Sequence, residues 1–187
     1  RVLGSFVAPL AAFFMTISTA VPVTQTPVKP IFKSLWLTLH VGTVFVGNAL
    51  LAISCLAAIM YLIQERQIKR KRFGTFYGRL PSLATLDNIN YYAILYGFRF
   101  LTLGMVVGSI YAHFALGIYW QWDPKEVWSL ICWLFYAALI HERLVVGWQG
   151  RKAAIMSIIC FSLLIFTFLG VSLLMGGYHS FGNMGGR

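Results

Sequence analysis

The residues best suited to chemistry in this chain are a cluster of aromatic side chains and four histidines. The stretch GIYWQWDPKEVW places four large aromatic rings within ten residues, beside two acidic residues. The aromatics are Tyr119, Trp120, Trp122 and Trp128, and the acids are Asp123 and Glu126. An interfacial aromatic belt accounts for one or two such rings, but the density of this stretch calls for a further explanation.

The histidines are His40, His113, His141 and His179. A lone histidine in an apolar run is more often satisfied by a neighbouring carbonyl than used as a metal ligand. Several histidines beside an aromatic platform reverse that expectation, because two imidazoles can ligate a haem iron axially while flat rings pack against the macrocycle. The residue types therefore indicate a haem site, provided that the chain brings them together.

Asp123 also has a structural interpretation. Asp123, Pro124 and Glu126 fit the N-cap, first and third positions of a helix that begins at this point. The sequence alone leaves both roles open for Asp123, the helix cap and a contribution to the haem site.

The elements that must position these residues are membrane-spanning helices. Of 187 residues, 59% are hydrophobic and only 11% are charged, which excludes an ordinary soluble domain. We predict an all-α polytopic membrane bundle of about five transmembrane helices. These helices form a single domain over residues 1–187. If the chain is a piece of a longer protein, further N-terminal spans are missing from it. The three cysteines lie in apolar runs without a CxxC pair, so neither a disulfide framework nor a redox dithiol is predicted.

The apolar runs predict spans over residues 2–21, 35–63, 91–115, 124–148 and 153–175. Residues 79–90 alternate apolar and polar side chains, which favours a segment lying along the membrane interface before the third span. Arg99 would then sit near the start of that span and reach towards water.

Most of the fifteen basic residues fall on one side of this arrangement. Eleven lie in or beside the loops around residues 66–99 and 143–152 or at residue 1, which places that side in the cytoplasm. The net charge of +10 is therefore a topological signal, and no nucleic-acid partner is expected. His40, His113, His179 and the tryptophan stretch would face outward. His141 would lie roughly 20 Å deeper, thirteen residues after Trp128.

Two further features each have a structural and a functional interpretation. His141 precedes Glu142 and Arg143, which could pair with it or with each other in a buried polar cluster, whereas the alternative is an inner haem site. Gly104, Gly108 and Ala112 recur at a spacing of four, which favours close helix packing over close approach to a flat cofactor.

The chain resembles the tryptophan-rich WWD-motif haem-handling proteins of cytochrome c biogenesis. WDPKE followed by Trp128 is similar to the CcsA/ResC branch of that family, and the likeness extends to LPSLATLDNINY, GFRFLTLG, HER and YHSF. The chain departs from the family at Leu116, where a tryptophan is usual, and at His113, which is not usually histidine.

The resemblance implies that His40 and His179 ligate an outer haem b beside the tryptophan stretch, and that His141 belongs to an inner haem site. It implies haem export and presentation to the CxxCH motif of apocytochrome c, with a CcsB/ResB-type membrane protein as partner. Cytochrome c synthase (haem lyase) activity together with that partner is left open. The expected location is a bacterial plasma membrane, with the thylakoid membrane as alternative, in contact with membrane lipid and with the haem loop on the outer, periplasmic side.

Two other functions fit parts of the sequence. A cytochrome b-like electron-transfer subunit would keep its haem as a redox centre, but such proteins have ligand pairs at both membrane depths and only the outer pair is complete here. A transporter would use the aromatic stretch as a gate for another solute, and stable bound haem would disfavour it.

Overall fold

The structure is a computed structural model that describes residues 35–71 and 81–170, together with positions 8, 9, 12 and 16. Within these ranges the chain is helical and contains no strand. The helices are α1 (Leu35–Lys69), α2 (Leu83–Leu116), α3 (Pro124–His141) and α4 (Arg151–Ile165). A π-helical turn continues α3 over Glu142–Val146, and another continues α4 over Phe166–Gly170.

All four helices are long and apolar enough to cross a membrane. With the π-helical turns included, the spans are 19 to 35 residues long, and roughly 17 to 25 residues are enough to cross a hydrocarbon core of about 30 Å. The all-α polytopic class predicted from composition is confirmed. The span predicted at residues 2–21 lies outside the continuously described ranges, as does the end of the one predicted to reach residue 175.

The start of α2 differs from the sequence expectation. The Ser82 Oγ accepts a hydrogen bond from the Thr85 backbone N–H at 3.1 Å and caps a helix that is already regular at Leu83. Residues 83–90 are therefore part of one 34-residue helix, and they do not form a separate interfacial segment. Their polar side chains include Asp87 and Asn90, which turn towards neighbouring helices. Arg99 consequently lies well inside α2, with its guanidinium 5.4 Å from the ring centre of Tyr96.

Glycines allow α1 and α2 to approach each other closely. A Cβ added to Gly47 would lie 3.1 Å from the Gly97 carbonyl oxygen, and one added to Gly97 would lie 2.8 Å from a Leu51 methyl. One added to Gly104 would meet Val44 at 2.5 Å. In lipid, where apolar side chains gain little by leaving the solvent, such backbone proximity is a main source of helix association. The close-packing interpretation of the glycine stripe is confirmed at Gly104.

The core draws side chains from all four helices. Tyr136 on α3 is fully buried among apolar neighbours, including Leu51 of α1 and Ile94 of α2. Cys55, Cys132 and Cys160 are all buried and free, as their apolar surroundings predict. The four helices therefore form one packed bundle with the functional candidates at its two ends.

Candidate functional site

The loop between α2 and α3, residues 117–123, marks one end of the bundle, which we call the tryptophan-loop end. The start of α1 is at this end, because Trp36 stacks on Phe114 of α2 with ring centres 6.3 Å apart. The end of α4 is there too, since the Lys125 Nζ lies 5.4 Å from the ring centre of Phe168. His40, His113 and the tryptophan stretch thus share one end of the bundle, as predicted.

Short-range hydrogen bonds fix the shape of the loop. Gly117 ends α2 at a φ of 79°, a left-handed conformation that suits glycine, and its N–H donates to the His113 carbonyl at 2.8 Å. The Ser109 hydroxyl donates to the Tyr119 carbonyl at 2.9 Å. The Gln121 N–H donates to a Glu126 carboxylate oxygen at 2.8 Å. The loop is therefore tied both to the helix before it and to the helix after it.

Asp123 caps α3 as the sequence indicates. Its Oδ1 accepts a hydrogen bond from the Lys125 N–H at 2.9 Å, and Pro124 occupies the first turn. The residue is 7% exposed, so its carboxylate is an internal group of the loop. Glu126 is at the expected third position but reaches back past the cap to Gln121. The capping prediction is confirmed, and a role for Asp123 towards a cofactor stays a prediction.

Trp122 is the most exposed aromatic side chain of the loop, with 76% of its surface accessible. Its backbone φ is 56°, a left-handed conformation that is costly for a bulky residue and that tends to occur at functional sites. Trp120 meets it edge-on, with ring centres 6.2 Å apart. Trp128 instead packs against Phe166, in the π-helical turn after α4, with ring centres 4.9 Å apart within the helix bundle. The loop thus displays Trp122 outward while Trp128 contributes to helix packing.

His40 is held in one orientation by α2. Its Nδ1 lies 2.7 Å from the Gly104 carbonyl oxygen, which can only accept a hydrogen bond, so Nδ1 carries the proton. In the neutral ring the lone pair is then on Nε2. Metal-ligating histidines commonly donate the second ring N–H to a carbonyl or carboxylate in this way. A bond to a neighbouring carbonyl is the structural role expected of a lone histidine, and the same bond leaves Nε2 of this half-buried imidazole able to ligate iron.

His113 has different surroundings. Its ring stacks on Tyr119 at 4.1 Å between centres and with an angle of 1° between planes, and it also contacts Phe114. Its Nδ1 is buried and has no hydrogen-bond partner in the described part of the chain. Together with Trp36, these rings form a continuous aromatic chain from α1 to the loop. The contacts indicate that His113 supports the loop.

His141 lies at the opposite end of the bundle. It is the last residue of α3 and is exposed among the described residues. The neighbouring Arg143 contacts Asp87, whereas His40 contacts Gly104, and these two α2 positions are roughly 25 Å apart along the helix. His40 and His141 cannot share a metal ion, as predicted. The assignment of His141 to an inner haem site stays a prediction.

Arg143 pairs with α2, and not with His141 or Glu142 as the sequence suggested. Its Nη2 lies 2.9 Å from an Asp87 carboxylate oxygen and its Nη1 lies 2.6 Å from the Asn90 side-chain oxygen. The second Asp87 oxygen accepts the Gly150 N–H at 3.0 Å, and Asn90 donates to Ser157 at 2.9 Å. We call these residues the Arg143 cluster. Arg143 and Asp87 are 56 residues apart in the chain, and the register of the helices brings them together. No local signal in the sequence therefore reveals the pairing.

The site residues predicted from the sequence are therefore only partly brought together. The tryptophan-loop end unites His40, Tyr119, Trp120, Trp122 and Asp123, with Trp128 just inside the bundle, whereas His141 is remote. His179 lies outside the described residues. The spacing of Gly104 and Gly108 indicated close helix packing, but the sequence did not reveal that both lie beside His40.

These features define a class: a polytopic helical membrane protein with an oriented histidine and a tryptophan-rich loop at the same end of its bundle. Residues 1–179 match the family described as "Cytochrome C assembly protein". The chain belongs to that family.

Curated relatives carry the name cytochrome c biogenesis protein CcsA. The protein from Guillardia theta is 35% identical over 96% of this chain and 66% of its own length. The protein from Chlamydomonas reinhardtii is 38% identical over 97% of this chain and 52% of its own length. That from Synechococcus sp. (strain CC9902) is 37% identical over 83% of this chain and 58% of its own length. The chain spans between about half and two thirds of these relatives.

Proposed function

We propose that this chain serves cytochrome c assembly by binding haem b at the tryptophan-loop end and presenting it to apocytochrome c. The observation that carries the proposal is the hydrogen bond from the His40 Nδ1 to the Gly104 carbonyl, because it leaves Nε2 as the free ligand atom. His179 is the proposed second ligand, on the strength of the family resemblance. Membership of a cytochrome c assembly family supports the same function.

The contribution of the chain is positioning. When bound, haem b supplies two vinyl groups, and the S–H of an apocytochrome cysteine adds across each one to form a thioether. His40 and His179 would hold the iron, and Trp120 and Trp122 would pack against the ring and keep water away. Holding both reactants in one place raises their effective concentration, which can account for a large part of a rate enhancement. A CcsB/ResB-type partner is proposed to complete the synthase.

The first test is haem retention by the purified protein. We expect a b-type pyridine haemochrome spectrum that is lost in His40→Ala and in His179→Ala. His113→Ala is the matched control, since its ring supports the loop and its loss should leave most of the haem in place. Haem lost only in His113→Ala would contradict the assignment of the ligands.

The second test concerns sidedness. We propose that the tryptophan-loop end faces the periplasm or the corresponding outer side, because basic residues accumulate at the other end of the bundle. The native cysteines at 55, 132 and 160 are buried, so Arg70→Cys provides a clean reporter. Residue 70 should react with an impermeant thiol reagent only after the membrane is opened. Labelling from outside in intact cells would overturn the orientation.

A further inference from the structure

Gly108 lies directly under the imidazole of His40. A Cβ added to Gly108 would be 2.6 Å from both the Cε1 and the Nδ1 of His40, and 3.5 Å from its Cγ. Real Cβ atoms essentially never approach other heavy atoms more closely than 3.0 Å, so the ring could not stay where it is. Of the described α2 glycines that contact α1, Gly108 is the one whose added Cβ would meet the imidazole.

We propose that Gly108 and the Gly104 carbonyl together form a seat that orients His40 as an iron ligand, which makes Gly108 a positioning residue. The proposal rests on the proposed function of His40. The absent side chain at Gly108 lets the ring lie flat against α2, and the carbonyl one turn earlier takes the Nδ1 proton at 2.7 Å. Both the tilt of the ring and its tautomer are then set by the α2 backbone.

The seat differs from ordinary glycine-mediated packing, and the chain offers variants that separate the two. Gly97→Ala places its Cβ 2.8 Å from Leu51 and so disturbs the contact of α1 with α2 roughly 10 Å along α2 from the Gly104 carbonyl that holds His40. Gly42→Ala is on α1, two residues after His40, and its Cβ would have nothing within 4 Å. The first variant controls for helix packing and the second for glycine replacement near the ligand.

The experiment uses the full chain with haem b as the probe, and it measures haem per folded protein, the Soret spectrum and the response to added imidazole. We expect Gly108→Ala to lower haem affinity about tenfold, in line with other losses of a group that orients a metal ligand. Its remaining haem should shift towards a high-spin spectrum, and free imidazole should restore the low-spin form. Gly42→Ala should match wild type, and Gly97→Ala should keep the wild-type spectrum per folded molecule.

Gly108→Ala could also reduce the amount of folded protein. The double variant His40→Ala/Gly108→Ala then decides the matter, because removal of the ring removes the clash. Recovery of protein in the double variant supports the seat, and no recovery overturns it.

A wild-type spectrum in Gly108→Ala, with haem lost in His40→Ala, would overturn the seat and leave the proposed function intact. Haem retained at full affinity in His40→Ala would overturn the proposed function itself, and the seat would fall with it. The two failures are therefore distinguishable in one set of purified proteins.

Discussion

The two ends of the bundle are held together by different kinds of contact. At the Arg143 end, a guanidinium, a carboxylate and an amide are paired across α2, α3 and α4, and the Arg143 side chain is only 4% exposed. At the tryptophan-loop end, ring contacts run from Trp36 through Phe114 and His113 to Tyr119, and Trp122 is 76% exposed. The first arrangement stabilises the fold through ion pairing, whereas the second leaves Trp122 available for the haem binding that we propose.

The largest expected effect is at the Arg143 end. Arg143→Leu leaves the Asp87 carboxylate without its cation in a poorly hydrated site, which typically costs about 3 to 5 kcal/mol. We expect a large fall in membrane-inserted protein and a lower thermal midpoint in detergent, measured by fluorescence-detected gel filtration after heating.

Lys69→Leu is the matched control for Arg143→Leu. It breaks the other ion pair of the described chain, between Lys69 and Glu65 at 2.6 Å, whose lysine is 60% exposed. Exposed pairs of this spacing on a helix contribute about 0.2 to 0.5 kcal/mol, so its effect should be small. If both variants lost equal stability, the contrast between the two ends would not hold.

An intermediate effect is expected at Trp122, and it should reduce function without reducing stability. Trp122→Gly adopts a positive φ at no steric cost, so the amount of folded protein should be equal to wild type or higher. Haem retention should fall, because the exposed ring is gone. The measurement is the ratio of haem to protein in purified samples.

Trp122→Phe provides the complementary variant. It keeps an aromatic ring on the same left-handed backbone and should retain more haem than Trp122→Gly. Equal haem in the two variants would mean that Trp122 belongs to an interfacial aromatic belt only.

The smallest expected effect is at Asp123, where the two types of role meet in one residue. Asn caps helices about as well as Asp, whereas Ala loses typically about 1 kcal/mol at such a position. Asp123→Ala should therefore lower folded protein modestly. We expect Asp123→Asn to give normal protein levels, because Glu126 still provides a negative charge near the start of α3. Cytochrome c maturation should nevertheless be impaired, because the charge of Asp123 itself is lost.

Protein level, bound haem and mature cytochrome c should be measured together in both Asp123 variants. Normal maturation in Asp123→Asn would mean that Asp123 only caps α3. The residue would then have a purely structural role, like the residues of the Arg143 cluster at the other end.

The fold was largely predictable because hydrophobic length reports membrane spans directly. The start of α3 was also predictable, since Asp123, Pro124 and Glu126 form a local capping signal. The start of α2 was not, because Asp87 and Asn90 look like interfacial residues until their partners on other helices are known. A polar residue in a membrane helix faces water or a partner, and sequence alone does not distinguish these two cases.

The candidate site was predictable in its residue types but not in its geometry. The tryptophan stretch and His40 stand out by composition. The orientation of His40 depends on the register of α1 against α2, which places Gly104 and Gly108 beside a ring that is more than 60 residues earlier in the chain. The Arg143 cluster depends on register in the same way.

The close approach of α1 and α2 has a consequence for biosynthesis. Both helices precede α3 and α4 in the chain, and their glycine contacts require nothing from the later helices. A nascent chain that has released α2 into the bilayer can already form the hairpin, and we expect His40 to donate its Nδ1 proton to Gly104 before α3 has entered the bilayer. We therefore expect cysteines placed at positions 36 and 114, where the rings of Trp36 and Phe114 stack, to be joined by a short bifunctional thiol reagent in chains arrested soon after α2 emerges. The α1–α2 hairpin would then form cotranslationally, and the aromatic loop would join it afterwards.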